Sequence, residues 1–222
     1  LCLLLKKYGR VKTIRKVPPP KAFPPYVLYH PDGRLFTDPA AYRAAMGFDP
    51  NRQTVGMLFH SGMHFDDSLP AARALCACLH DKVNLLLLFS NIEHNMNALY
   101  ACFSDIDLFV NLQYFRLWGG PYGGRSDIIY DYLRKKDVPL LTGLRAFETE
   151  LDGWRQSEQG INPIETVLGV ILPELDGAIG PYFISGLAVQ QDATLGVVKT
   201  PVVVPDRVAA LGGRAAGGVT LD

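Results

Sequence analysis

The sequence predicts an α/β fold in which a parallel sheet is covered by helices on both faces. Three observations predict it. Short, almost wholly apolar runs at residues 54–59, 84–89 and 107–112 alternate with longer segments of helical periodicity. Hydrophobic residues supply 48% of the 222 positions and charged residues 20%, the balance of a chain that buries a core. No apolar run approaches the roughly 18–20 residues that span a bilayer, so no membrane span is expected.

The elements follow in order. Residues 1–25 read as a basic, proline-rich linker or the cut end of a preceding domain. Residues 1–21 carry seven cations and no acid, and prolines stand at 18–20 and 24–25. The α/β portion is expected over residues 26–187. Its first strand is 54–59. A helix at 71–79 is introduced by Asp67 or Ser68 as cap and by Pro70 in its first turn. A strand at 84–89, a helix at 95–103 and a strand at 107–112 come next. The helix at 126–136 has Ser126 or Asp127 near its cap, and Arg134, Lys135 and Lys136 at its end, where cations suit the helix dipole. A fourth strand is expected at 138–141, a short helical stretch at 164–168 and a fifth strand at 170–172. Residues 188–222 read as a connecting segment with a short helix at 206–211 and a glycine-rich tail. The rhythm is that of a flavodoxin- or Rossmann-like sheet.

Charge and cysteine usage exclude some functions. Lys and Arg number 22, Asp and Glu 22, so attraction to bulk phosphate is not a driving force and a nucleic-acid partner is not expected. Cys2, Cys76, Cys78 and Cys102 form neither a zinc ribbon nor a dense disulfide frame, which suits a reducing, cytoplasmic setting.

Right-handed crossovers bring the carboxyl ends of all parallel strands to one edge of the sheet, where open α/β folds bind ligands. His60 and His64 follow the first strand, with Asp66 and Asp67. Glu93 and His94 follow the second. These are ligand types for a divalent metal, and His60, His64, Glu93 and His94 are the candidate metal ligands; hydrogen bonds to loop backbone are the alternative. After the third strand come Gln113, Arg116, Trp118 and a glycine-rich loop at 119–126. That loop is one residue from a phosphate-binding pattern, but Arg125 replaces the lysine and Pro121 removes an amide from the cradle. Gly119 and Gly120 instead allow close approach of a flat ligand, with Trp118 and Tyr122 as stacking surface. Arg116 and Arg145 are candidates to bind substrate carboxylates, or to pair with an acid such as Asp107 or Glu148. Glu174, placed just past the expected fifth strand, is a candidate proton acceptor whose pKa rises on partial burial, or an exposed turn acid. Cys76 and Cys78 are core residues.

Several segments taken together resemble one family. They are Tyr29-His30-Pro31, Val55-Gly56, Leu117-Trp118-Gly119-Gly120-Pro121, Val138-Pro139 and residues 148–154. The most specific is Gly160-Ile161-Asn162-Pro163-Ile164-Glu165 running into Leu172-Pro173-Glu174-Leu175-Asp176-Gly177. The chain resembles, from about Tyr26 to Leu187, the large subunit of ATP-dependent cobaltochelatase and the homologous porphyrin-binding H subunit of magnesium chelatase. The resemblance implies a fragment of a tetrapyrrole-binding subunit. Co2+ or Mg2+ would be the metal substrate, and ATP would be hydrolysed by AAA+ partner subunits, not by this chain. The remainder of its own large subunit would be a further partner, and the pathway would be cobalamin or chlorophyll biosynthesis. Loss of two pyrrole N–H protons requires a base, and the resemblance points to Glu174 where the residues alone point to His60 and His64. Gly180 stands where magnesium-type subunits have an acid, and residues 60–64 and 90–95 also lean toward the cobalt branch. Two other readings remain: a stand-alone metal-dependent hydrolase using His60, His64 and Glu93, and a non-catalytic tetrapyrrole-binding module.

Overall fold

The computed structural model describes residues 7–9, 24–62, 65–118 and 125–217. Its centre is an eight-stranded sheet. The strands are β1 (Tyr26–Tyr29), β2 (Leu35–Phe36), β3 (Thr54–His60), β4 (Asn84–Ser90), β5 (Leu108–Leu112), β6 (Leu140–Glu150), β7 (Ile179–Asp192) and β8 (Gly196–Val203), in the order β2-β1-β4-β3-β5-β6-β7-β8. The strands β4, β3, β5, β6 and β7 are parallel neighbours, so the expected sheet is present. Antiparallel β1 and β2 close one side and antiparallel β8 the other.

Helices cover both faces because alternate strand residues are apolar in both directions. On one face Val55, Met57, Phe59, Leu85, Leu87 and Phe89 pack against Leu75 and Leu79 of α2 (Phe65–Leu79) and Leu211 of the C-terminal helix Pro205–Ala216. On the other, Leu58, Leu86, Leu88 and Phe109 meet Tyr42 of α1 (Pro39–Met46), Leu99 of α3 (Asn95–Cys102) and Ile129 of α4 (Ser126–Lys136). The start and end of α1 are chemical. Asp38 accepts the amides of Ala40 and Ala41, Pro39 opens the helix, and Gly47 closes it in the left-handed conformation at φ 65°.

One expected strand is corrected. Residues 170–172 are helical. After α5 (Leu151–Gln156) and a short loop, α6 (Pro163–Thr166), a π turn (Val167–Ile171) and α7 (Leu172–Leu175) follow one another without a break. Their apolar residues recur at helical spacing, and a short run that is apolar on both sides reads equally as a buried strand. Gly169 lets this segment lie against β6, since a Cβ there would overlap Leu144 Cδ1. The fifth parallel strand is β7, later in the chain. It runs through residues 187 and 188. Beyond them β8 pairs with β7, and the final helix α8 (Pro205–Ala216) enters the core through Val208, Leu211 and Ala215. Residues 188–216 therefore continue the same body. Among the described residues, no helix is long and apolar enough to cross a membrane.

Candidate functional site at the carboxyl edge of the sheet

The chain passes from β3 to β4 on one side and then returns across β3 to β5, so the strand order reverses between β3 and β5. In open α/β sheets the carboxyl ends of the two strands at such a switch point are where ligands bind. His60 ends β3. Its Nδ1 lies 2.7 Å from the carbonyl oxygen of Ser61. A carbonyl only accepts, so Nδ1 carries the proton and Nε2 is the acceptor nitrogen of the neutral ring. The ring stands 6.4 Å from that of Tyr114, which itself lies edge-on to Phe147 at 5.3 Å.

Arg145, inside β6, is 1% exposed. Its Nε donates to the carbonyl of Leu112 at 2.9 Å, and its guanidinium carbon sits 4.6 Å from the Tyr114 ring centroid and 5.9 Å from that of Phe59. Among the described residues Nη2 has no hydrogen-bond partner. Burial pulls the Arg145 pKa below its ordinary value, with Tyr114 and Asp67 working against the shift. Burial pushes the Tyr114 hydroxyl up, opposed by the positive charge of Arg145. Asp67, Tyr114, Phe147 and Lys199 line a small pocket of about 210 Å³ beside this cluster. A larger cavity of about 560 Å³, lined by His30, Phe48, Arg73 and Cys76 among others, lies at the opposite, amino end of β4.

Beneath the edge is a buried amide lattice that the sequence patterns do not single out. Gln113 Nε2 donates to the carbonyl of Ser90 at 3.1 Å and to Asn95 Oδ1 at 3.1 Å. Asn95 Nδ2 donates to Gln113 Oε1 and to the carbonyl of Leu117, both at 2.7 Å. Asn111 Oδ1 accepts the Gln113 amide at 3.1 Å, and its Nδ2 donates to the carbonyl of Phe115 at 3.1 Å. The lattice ties the ends of β4 and β5 to the start of α3 and makes this edge of the sheet rigid. A polar Asn111 inside an otherwise apolar strand is the signal in the sequence that points to it.

The other expected site residues divide. Glu93 and His94 sit in a 3₁₀ turn after β4, with Glu93 exposed and His94 at the N-cap of α3. His64, Gly119, Gly120 and Tyr122 lie outside the described residues. Among those described, no group of three or more His, Cys, Asp and Glu side chains is placed to hold a metal ion. Trp118 is half-buried against the core that contains Leu117. Arg116 pairs with Asp176, its Nε 3.0 Å from Oδ1, so the acid partner is neither Asp107 nor Glu148. Glu174 is exposed on α7, before β7 rather than after a strand. Because Ile179 registers with Leu141 near the start of β6, the Glu174 turn lies where the chain enters the sheet, not at the carboxyl edge. Its expected burial beside a strand end is corrected with the strand itself. Glu165 is a further missed residue. Its fully buried carboxylate accepts the amides of Phe147 and Glu148 at 2.6 and 2.8 Å. The Asn162-Pro163-Ile164-Glu165 spacing has the form of a capping box, and Asn162 does accept the Ile164 amide, but Glu165 turns to β6 instead.

Comparison with known proteins gives the family and the fold. The H subunit of magnesium chelatase from Rhodobacter capsulatus is 30% identical over 180 residues, covering 77% of this chain and 14% of that protein. Its counterpart in Cereibacter sphaeroides is 31% identical over 175 residues, 75% of this chain and again 14% of the relative. The chain thus spans about one-seventh of the length of these relatives. In fold it is similar to the catalytic subunit of cobaltochelatase from Mycobacterium tuberculosis, with a TM-score of 0.58 and 18% identity over 95% of this chain and 17% of that one. Residues 1–222, the whole sequence, match the family described as CobN/Magnesium Chelatase, and the chain belongs to that family.

Proposed function

We propose that this chain forms part of the tetrapyrrole-binding body of a chelatase large subunit that inserts Co2+ or Mg2+ into a corrinoid or porphyrin ring. ATP is hydrolysed by separate AAA+ subunits, the setting is cytoplasmic, and the product enters cobalamin or chlorophyll biosynthesis. The observation that carries this reading is the family match over residues 1–222, joined to 30–31% identity with two magnesium-chelatase H subunits.

In this reading the carboxyl edge at β3 and β5 faces the ring. The glycine loop with Gly119, Gly120 and Tyr122 admits the flat macrocycle, and Trp118 anchors the start of that loop to the core. Arg145 sets a positive potential under the edge, favourable for the ring's carboxylate side chains. His60 supplies an imidazole with Nε2 as acceptor, suited to take a pyrrole proton or to hand on the metal. His64, Glu93 and His94 are further candidates to guide the ion, and Glu174 is the alternative base on family grounds alone. Arg116 is assigned to the Asp176 pair rather than to substrate.

The test is absorbance titration of the complete large subunit with protoporphyrin and with hydrogenobyrinic acid diamide. A saturable spectral shift with one ring supports the reading and names the ring. No shift with either refutes it.

A further inference from the structure

The helical segment from α6 through the π turn to α7 buries one side against the sheet and exposes an apolar stripe on the other, with Glu174 exposed beside it. Its inner side is buried: Gly169 against Leu144, Val170 against the cluster of Leu144 and Phe183, and Pro173 in the interior. Its outer side carries Ile164, Val167, Ile171 and Leu175, spaced three, four and four residues apart and therefore in one stripe. With Ile179 next in line, these side chains are 39–58% exposed. An apolar stripe of this length left in solvent forgoes the hydrophobic contribution of every side chain on it and marks an interaction surface.

Next along the chain from Leu175, residues Asp176, Gly177 and Ile179 line a groove of about 450 Å³ together with Leu133, Arg134, Asp137, Val138 and Pro139. Asp176 lines the same groove and is 4% exposed. Its Oδ1 receives two bonds from Arg116, while Oδ2 is buried with no hydrogen-bond partner among the described residues. A buried carboxylate oxygen left without a donor is costly, so a donor is missing from this side of the groove. The family relatives extend far beyond this segment, which accounts for 14% of their length.

We infer that the stripe and groove together seat another part of the same large subunit: an apolar helix that brings one N–H or O–H donor to Asp176 Oδ2. Side chains at three- and four-residue spacing on this face interlock with those of such a helix. The inference rests on family membership and not on the metal-insertion reading, so either can fail alone.

The experiment uses the complete large subunit with Ile171→Cys, labelled by a maleimide in the native and the denatured protein. The expected native rate is lower by about 100-fold or more, because labelling waits for local opening of the interface. Native labelling within a few-fold of the denatured rate overturns the proposal. Protection that appears only at high protein concentration, only with added ATPase subunits or only with a bound ring also overturns it, by assigning the face to a second copy, a partner or the ligand. Hydroxyl-radical oxidation of Ile171 and Leu175 in the unaltered subunit gives the same reading if the cysteine variant does not fold, with low oxidation expected. Adding Asp176→Asn, which keeps the Arg116 bond at Oδ1 but turns the other position into a donor, is expected to speed labelling about tenfold. An unchanged rate removes the hydrogen bond from the proposal.

Discussion

Glu165 Oε1 accepts the backbone amide of Phe147 at 2.6 Å, joining a fully buried carboxylate on α6 to the far half of β6. Pairing between β6 and β7 passes from Arg145–Ser185 directly to Glu150–Leu187. The amides of Phe147, Glu148 and Thr149 fall in that gap, and Glu165 takes all three. Phe147 also lines the small pocket beside Tyr114, so the carboxylate fixes one wall of that pocket.

Glu165→Leu removes the acceptor of the Phe147, Glu148 and Thr149 amides and leaves an apolar side chain among them. A loss of about 3–5 kcal/mol in unfolding free energy is expected from that mechanism. Glu165→Gln keeps one acceptor oxygen but loses the charge, and about 1–2 kcal/mol is expected. Denaturant titration measures both. Hydrogen exchange at residues 147–149 should quicken in the leucine variant before the rest of β6 changes. Unchanged exchange there would show that the carboxylate is incidental to the gap.

Gly169→Ala tests the packing of the π turn. The added Cβ overlaps Leu144 Cδ1, so overpacking should cost about 1–3 kcal/mol. Gly153, in α5, has nothing within 4 Å of its would-be Cβ. Gly153→Ala should therefore stabilise by about 0.5–1 kcal/mol through helix propensity. Denaturation midpoints that move in the same direction for the two variants would contradict the packing assigned to Gly169.

Alkaline pH should unfold the protein through its buried thiols and phenols. Burial pushes the Cys102 thiol up from 9.0 to about 11, and it raises Cys76 and Tyr132 as well. The native state keeps these protons while the unfolded chain releases them, so the unfolded chain gains as pH rises. The stability from Cys102 is complete below pH 9 and is lost between about 9 and 11. Denaturation midpoints at pH 7, 9 and 10.5 check the sign. At pH 8 a thiol reagent should spare Cys76 and Cys102, which are buried, and among the described cysteines reach half-buried Cys78 first.

Much of the fold was legible because β3, β4 and β5 lie in the middle of a two-sided sheet, where each strand is apolar whichever way its side chains point. The same property disguised the run at 170–172, which is helical, whereas the helical stretch expected at 164–168 is present as α6 and the start of the π turn. The run at 170–172 is apolar on both sides for another reason, contact with β6 within and the outward stripe without, and a short run cannot distinguish the two. Strand β7 was missed since Gly180, Pro181 and Gly186 interrupt it, and β8 since Pro201 does. His60 does stand at the end of its expected strand, whereas Arg145, expected in the segment after a strand ending at 141, lies inside β6, which runs on to Glu150. The lattice of Asn95 with Gln113 was not legible, because each is an ordinary polar residue until an 18-residue separation closes in space. Arg116 and Asp176 are 60 residues apart and could be paired only by the fold.

The most direct measurement is the rate of metal insertion by the complete large subunit reconstituted with its ATPase partners, ring and ATP, comparing the unaltered protein with His60→Gln and Glu174→Gln. The expected result is ATP-dependent insertion of Co2+ or Mg2+ that falls about 100-fold in His60→Gln, the usual scale for losing a general base. Ring affinity should hardly move, because the residue acts on the proton and not on uniform binding. Glu174→Gln, with its side chain exposed on α7, should stay near the unaltered rate. A large fall in Glu174→Gln with none in His60→Gln would contradict the placement of the site at the carboxyl edge, and absence of insertion of either metal by a ring-loaded complex would contradict the chelatase function itself.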